Sequence, residues 1–239
     1  MNEYIAAIDC ARKRDRFVIT ISKNDQLIVE GNEAAEQPDR LIARLAIMYL
    51  DQWSGLPYRE MVDKCVRILG HRTLSNNCDL LVDATGVGDP IVEMFHEAGI
   101  SVMPIIVTGG KGVREVYEGF GSIIAPASDR LRGLRVMKEI HVPKADMVAA
   151  GQIMLENRRV SIAKNIKWAD ELKRQLMHLS PKNTPAGNVR YESDDNSVND
   201  DIAFCYILTA WWALRRLKDG ILDASPDRPQ REWDPIEYM

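Results

Sequence analysis

Histidine and cysteine are scarce in this 239-residue chain, four of each, and neither set is spaced as zinc ligands or as a disulfide framework. Cys10, Cys65, Cys78 and Cys205 are therefore expected to be reduced, most of them core residues. Long apolar runs are also missing, which excludes a membrane-spanning helix. The start, Met1-Asn2-Glu3-Tyr4-Ile5, lacks the basic and apolar regions of a secretory signal, so a cytoplasmic location is expected. No G-x-x-x-x-G-K-[ST] phosphate loop occurs, which excludes P-loop ATP hydrolysis. Ser122 and Ser128 lack the G-x-S-x-G context of a nucleophile elbow, which leaves serine hydrolase chemistry without support. Nor is there an overall basic excess: 31 Lys and Arg against 35 Asp and Glu give a net charge of -4, unlike a protein that coats nucleic acid.

What is present is a local imbalance and a set of elements. Between Gly109 and Lys144 there are seven Lys or Arg against four acids, whereas Asp219 to Met239 holds two against six. Tyr4 to Ile8, Arg16 to Ser22 and Gln26 to Glu30 read as a three-strand meander, with a polar turn at Lys23-Asn24-Asp25. Pro38 and Asp39 predict a helix carrying Leu41, Leu45 and Met48, and Val62, Cys65, Val66 and Leu69 predict a second. Asp79 to Asp83 is the next strand. A helix with Pro90 in its first turn and Ile91, Phe95 and Ala98 on its buried face follows, ending at Gly99. Ser101 to Val107 is a strand in which Pro104 hints at an edge or a kink. The glycine-rich connection from Gly109 to Pro143 is too long for an ordinary loop, so it is expected to be functional or partly helical. Helices around Met147 to Leu155 and Trp168 to Leu179 flank a short strand, Val160 to Ile162. Another short strand is expected at Val189 to Tyr191, and a buried helix from about Asp200 to Leu217. Residues 1–218 thus form one domain, and 219–239 an extended or disordered tail.

A meander, then parallel strands alternating with helices, is the order of an α/β ribonuclease H-like mixed sheet with helices on both faces. In that order the first and fourth strands lie side by side. Asp9 ends the first, and Asp83, in Leu80-Leu81-Val82-Asp83-Ala84-Thr85-Gly86-Val87-Gly88-Asp89-Pro90, ends the fourth. Asp200-Asp201 opens the late buried helix. Each acid alone has an ordinary reading as a strand end or a helix start stabilised by the dipole; their combination does not. Clustered carboxylates repel unless cations neutralise them, and hard oxygen ligands suit Mg²⁺ or Mn²⁺, two of which about 4 Å apart activate water and stabilise a leaving oxygen.

These residues carry a resemblance. Asp83-Ala84-Thr85-Gly86-Val87-Gly88-Asp89-Pro90, Pro104-Ile105-Ile106-Val107-Thr108-Gly109-Gly110, Val142-Pro143-Lys144 and Asp200-Asp201-Ile202-Ala203, in this order and spacing, resemble the nuclease domain of a tailed-phage terminase large subunit over most of the chain. The resemblance implies a metal-dependent endonuclease that cuts concatemeric DNA during genome packaging. It maps the metal-binding acids to Asp9, Asp15, Asp83, Asp200 and Asp201, with Asp9, Asp83 and Asp201 as the catalytic set. It implies two Mg²⁺ or Mn²⁺ ions, double-stranded DNA as substrate, and a separate packaging ATPase, small terminase and portal as partners in the host cytoplasm. The chain departs from the pattern at Asn199, where the family often has His, and at Ile8, where it often has Gly. The missing phosphate loop makes it either an excised domain or a separately encoded nuclease subunit.

Lys111, Arg114, Arg130, Arg132 and Lys138, in the basic stretch, are the candidate DNA contacts. Arg158-Arg159, Lys164 and Lys167 read as ordinary surface charges, with lining of the DNA groove as the alternative. Three alternatives stand beside the nuclease reading. Asp83 to Asp89 resembles the Asp-Thr-x-Gly-Ala-Gly-Asp stretch of ribokinase-like sugar kinases, whose glycines form an anion hole with the last aspartate as base. The others are a Holliday-junction resolvase and a non-catalytic DNA-packaging module.

Overall fold

A computed structural model describes residues 2–10, 16–29, 40–86, 88–119, 135–183, 189–195 and 198–219. The elements in chain order are β1 (Tyr4–Cys10), β2 (Phe17–Val29), β3 (Arg40–Trp53), α1 (Tyr58–Leu69), β4 (Cys78–Asp83), α2 (Gly88–Glu97) and β5 (Met103–Thr108). They continue as β6 (Arg114–Gly119), β7 (Arg135–Pro143), α3 (Lys144–Glu156), β8 (Val160–Ile162), α4 (Ala169–His178), β9 (Leu179–Asn183), β10 (Val189–Ser193) and α5 (Asp201–Asp219). The main sheet runs β6-β7-β5-β4-β1-β2-β3-β8, with β9 and β10 as a separate hairpin. β4 lies parallel to β1, β5 to β4, β7 to β5 and β8 to β3, so all of these point to one carboxyl edge. Only β2 and β6 run against them.

Alternation along the strands divides the side chains between two cores. Ala6, Ile8, Phe17, Ile19, Leu80 and Val82 face α1 and α2, while Ile5, Ala7, Val18, Leu81 and Ile105 face α3, α4 and α5. The ribonuclease H-like arrangement with helices on both faces is thus the observed fold, and the α5 side carries the larger core. Helix α5 is buried along most of its length, as its apolar sequence requires, and Tyr206 passes its hydroxyl to the Gly151 carbonyl at 2.8 Å. α3 and α5 meet closely at Gly151, where a Cβ would lie 3.1 Å from Ile207 Cγ1. Cys10, Cys65 and Cys205 are buried free thiols, and Cys78 is half-buried.

The meander differs from its sequence reading. β2 is one strand of 13 residues with a bulge between Ile21 and Ser22, so Lys23-Asn24-Asp25 is no turn and Gln26 to Val29 is no separate strand. The third strand is β3, where a helix is predicted from Leu41, Leu45 and Met48. Its buried residues, Ala43, Leu45, Ala46, Ile47 and Leu50, are selected by pairing with β2 over almost their whole lengths, which a helix could not offer. Pro104 is buried inside the sheet and marks no edge: β5 pairs with β7 only from Ile105 onward, so the missing amide hydrogen falls outside that ladder. The Gly109 to Pro143 connection contains the antiparallel pair β6 and β7 at its two ends, and the part between them lies outside the described residues. The expected tail beyond Asp219 lies outside the described residues.

The amino edge of the sheet is closed by Asp79. Its carboxylate accepts from Asn2 Nδ2 at 2.7 Å and Trp212 Nε1 at 2.7 Å, and pairs with Arg216 Nη1 at 3.0 Å. Arg216 also donates to the Asn2 carbonyl at 2.7 Å, tying the end of α5 to the start of β1. Because the Arg216 side chain is only 9 % exposed, Asp79→Ala strands a buried cation. That change is expected to cost about 3 kcal/mol, a melting-temperature drop of roughly 6–12 °C by circular dichroism. An unchanged midpoint would show that this network contributes nothing.

Candidate active site

β1 and β4 pair in parallel through Ile8 and Val82, so Asp9 and Asp83 follow as neighbours at the carboxyl edge. Asp9 shares the α5 side with Ile5 and Ala7, and α5 crosses above it, with Cys205 Sγ donating to the Val18 carbonyl at 3.8 Å. Desolvation pushes the Asp9 carboxyl well above the ordinary aspartate range. The charges of Asp83, Asp201 and Asp200 push the same way, and Lys144 opposes them. Asp201 is raised by burial and by Asp200, with Arg16 opposing. Asp9 thus lies buried in the field of three other carboxylates at the sheet edge, a condition that disfavours its charged form.

The Thr-Gly sequence after Asp83 has a structural cause. Thr85 N donates to Asp83 Oδ1 at 2.8 Å, an Asx-type turn that fixes the carboxylate, and Gly86 supplies the positive φ of 95°. Ala84 N donates to the Ile105 carbonyl, and Val107 N donates to the Thr85 hydroxyl at 2.8 Å, which locks the turn to β5. The start of the glycine turn is thus engaged in setting Asp83.

The acid pair at the start of α5 is held by residues to which the sequence assigned no role. Lys144, the first residue of α3 at the end of β7, places Nζ 3.3 Å from Asp200 Oδ2. Gln175 of α4 is almost fully buried, and its Oε1 accepts from Ile202 N at 2.9 Å and Ala203 N at 3.0 Å. It thereby satisfies two of the amide donors that every helix start leaves unpaired. Its own amide donates to Glu171 Oε1 at 2.9 Å. With the Asn199 amide oxygen turned toward it, Arg16 at the start of β2 donates from Nη2 at 3.2 Å. The available signal for Gln175 was a polar residue on the apolar face of Leu172, Leu176 and Leu179, and for Lys144 its place in Val142-Pro143-Lys144; for Arg16 no local signal exists, since its partner lies far along the chain.

Gln175→Leu leaves two amides without their partner at the base of Asp201. Stability is expected to fall by about 2–4 kcal/mol in chemical denaturation. The exchange Gln175→Glu with Glu171→Gln, which keeps an acceptor for the two amides and restores a donor between the side chains, is expected to lose less; equal losses would contradict the capping role.

Asp9, Asp83, Asp200 and Asp201 are therefore brought together. Asp15, Arg130 and Arg132 lie outside the described residues. Lys111 is exposed in the turn after β5, beside the edge that carries the acids. Arg114, also exposed, places Nη2 3.2 Å from His141 Nδ1, and His141 Nε2 lies 2.7 Å from Glu139. Lys138 is exposed on β7, before the first residue that pairs with β5. Among the described residues no three of His, Cys, Asp and Glu close into a coordination shell. Asp200 is drawn toward Lys144 and the acids repel one another, while their donors are all carboxylate oxygens, a set that fits a hard divalent cation.

Compared by sequence, the chain matches no protein-family model and none of the curated proteins. Compared by structure, it is similar to the large terminase nuclease from thermophilic phage G20c, with a TM-score of 0.53 and 14% identity over 87% of this chain and 80% of that one. The same nuclease with bound magnesium gives 0.54 and 15% over the same shares. The nuclease domain of the large terminase subunit of bacterial virus Sf6, solved with manganese, gives 0.51 and 12% over 87% of each chain. The chain has the fold of the large-terminase nucleases.

Proposed function

We propose that this protein is a metal-dependent DNA endonuclease that cuts phosphodiester bonds as terminase nucleases do, on concatemeric viral DNA during packaging. The observation that carries the reading is the gathering of Asp9 and Asp83, at the ends of paired β1 and β4, with Asp200 and Asp201 at the start of α5 on one sheet edge, where burial first and the three other charges next disfavour the Asp9 carboxylate. A fold that only needed a stable edge would separate these charges. In this reading Asp9, Asp83 and Asp201 hold the cations, Asp200 assists them, and Asp15 is a further acid on the β1–β2 connection. Mg²⁺ or Mn²⁺, two ions in the full arrangement, would supply charge neutralisation and an activated water.

The protein's own groups do the rest. The Asx turn fixes one Asp83 oxygen, so the carboxylate needs little reordering when substrate arrives. Lys144 and Arg16 offset the negative field that would otherwise repel a phosphate. DNA and a packaging assembly of ATPase, small terminase and portal are the partners this function requires. No described helix is long and apolar enough to cross a membrane.

Calorimetric titration of Mn²⁺ is the test. Saturable binding that disappears in Asp83→Asn is expected, and absence of binding at millimolar Mn²⁺ would reject the metal site. Lys111 and Arg114, with Arg130 and Arg132 beyond the described residues and Lys138 on β7, are the proposed phosphate contacts. Replacing Lys111 and Arg114 by Ala is expected to lower the salt slope of duplex binding by about 1.8, at ~0.9 per lost contact. An unchanged slope would remove both from the interface.

A further inference from the structure

The cluster Arg158, Arg159, Lys164 and Lys167 is split by β8. This strand is three residues long and parallel to β3, so the residues before it and after it lie toward opposite edges of the sheet. The Arg159 carbonyl accepts from Leu45 N, and Leu45 pairs with Asn24, whose own amide bonds Glu3 at the amino end of β1. Lys167 instead reaches Asp51 Oδ1 at 2.8 Å, and Asp51 pairs with Ile19, which pairs with Ile8 beside Asp9. Lys167 therefore stands level with the acids, and Arg158-Arg159 stands at the far end of the sheet.

Lys167 is held but not covered. Its side chain is 63 % exposed, its Nζ lies 5.3 Å from the Trp168 ring centroid, and Trp168 Nε1 donates to the same Asp51 oxygen at 3.1 Å. Lys164 is exposed in the same turn, and half-buried Arg16 lies between this corner and the acids. Two strand spacings separate β1 from β3, whose Asp51 holds the Lys167 Nζ, roughly 10 Å at about 4.8 Å each. That is comparable to the ~12 Å width of the major groove, across which the two DNA backbones face each other. Lys111 occupies the other side, beyond β5.

We infer that Lys164 and Lys167 form a second phosphate-binding flank, which holds the uncut strand of a DNA duplex while the acids engage the strand to be cut. This rests on the nuclease reading and adds to it where the second backbone runs. Asp51 and Trp168 act as the clamp that keeps Lys167 in place without ordering cost at binding.

The test is duplex binding by fluorescence anisotropy over a salt series with Mg²⁺, in an Asp83→Asn background so that the DNA stays whole. Lys164→Gln with Lys167→Gln, which leaves a donor for Asp51, is expected to reduce the slope of log K against log salt by about 1.8. The charge-matched pair Arg158→Gln with Arg159→Gln is expected to leave it unchanged. Melting curves identify any loss of fold, and Lys167→Arg, which keeps the charge, is expected to retain the parent slope. An unchanged slope in the Lys pair, or an equal fall in the Arg pair, overturns the flank while cleavage by the wild type leaves the nuclease reading standing. If the wild type neither binds nor cuts duplex DNA, both fall together.

Discussion

Asp83→Asn is expected to lose DNA cleavage by at least a thousandfold, about 4 kcal/mol of transition-state stabilisation, while its melting temperature stays level or rises. Asparagine keeps the oxygen that accepts from Thr85 N, so the turn and the junction with β5 are preserved. What disappears is one negative charge, and Asp83 is the largest electrostatic contributor to the elevated Asp9. Removing it relieves repulsion in the metal-free protein, the trade between stability and activity expected of an active site. A variant that cuts at the wild-type rate would contradict the site. One that unfolds would show that Asp83 is structural, so circular dichroism accompanies the rate measurement.

Stability in chelator is expected to fall as pH rises above the ordinary aspartate range, and Mn²⁺ is expected to reverse much of that fall. The folded-state pKa of Asp9 is raised, and that of Asp201 moves the same way. The folded chain therefore keeps protons that the unfolded chain has released. Their contribution to stability is fully present below the unfolded aspartate value and is lost as pH climbs through the raised folded values. Asp51 and Glu171 are lowered, so their stabilisation is lost only on acidification below the usual carboxylate range, outside this window. A divalent ion takes over the proton's role of offsetting the charge. At a hundredfold excess over its Kd it adds about 2.7 kcal/mol, or roughly 5–11 °C for a chain of this size. Asp83→Asn is expected to flatten the pH trend and to abolish the metal shift. If wild type and variant melt in parallel at every pH, with and without Mn²⁺, the four acids do not behave as one site.

The acids were legible because each sits where a pattern breaks: Asp9 and Asp83 where apolar strands end, Asp200-Asp201 where an apolar helix begins. β3 was not legible for a related reason. Leu41, Leu45 and Met48 fall at helical spacing, yet the burial that decides the matter comes from β2, a partner recognisable only once Lys23-Asn24-Asp25 is known to run through as strand. Polar residues inside a strand misled in the same way: Asn24 is almost fully buried, and Lys23 pairs with Asp25 at 3.3 Å, so side chains that read as a turn are absorbed by the sheet. β9 was hidden in a polar stretch, because its pairing with β10 rather than its own composition makes it a strand. The supporting residues depend on contacts remote in sequence: Gln175 with Ile202, Lys144 with Asp200, Arg16 with Asn199. Local patterning carries no record of such pairs. The likeness of Arg158, Arg159, Lys164 and Lys167 in composition likewise concealed that three residues of strand send them to opposite edges.

The most direct measurement of the central claim is plasmid cleavage by the purified protein. Supercoiled DNA is incubated with wild type in Mn²⁺, in Mg²⁺ and in chelator, and resolved by gel. The account predicts nicked and linear products with either metal and none in chelator. Intact plasmid in both metals, from protein that is folded and binds no Mn²⁺, would contradict it.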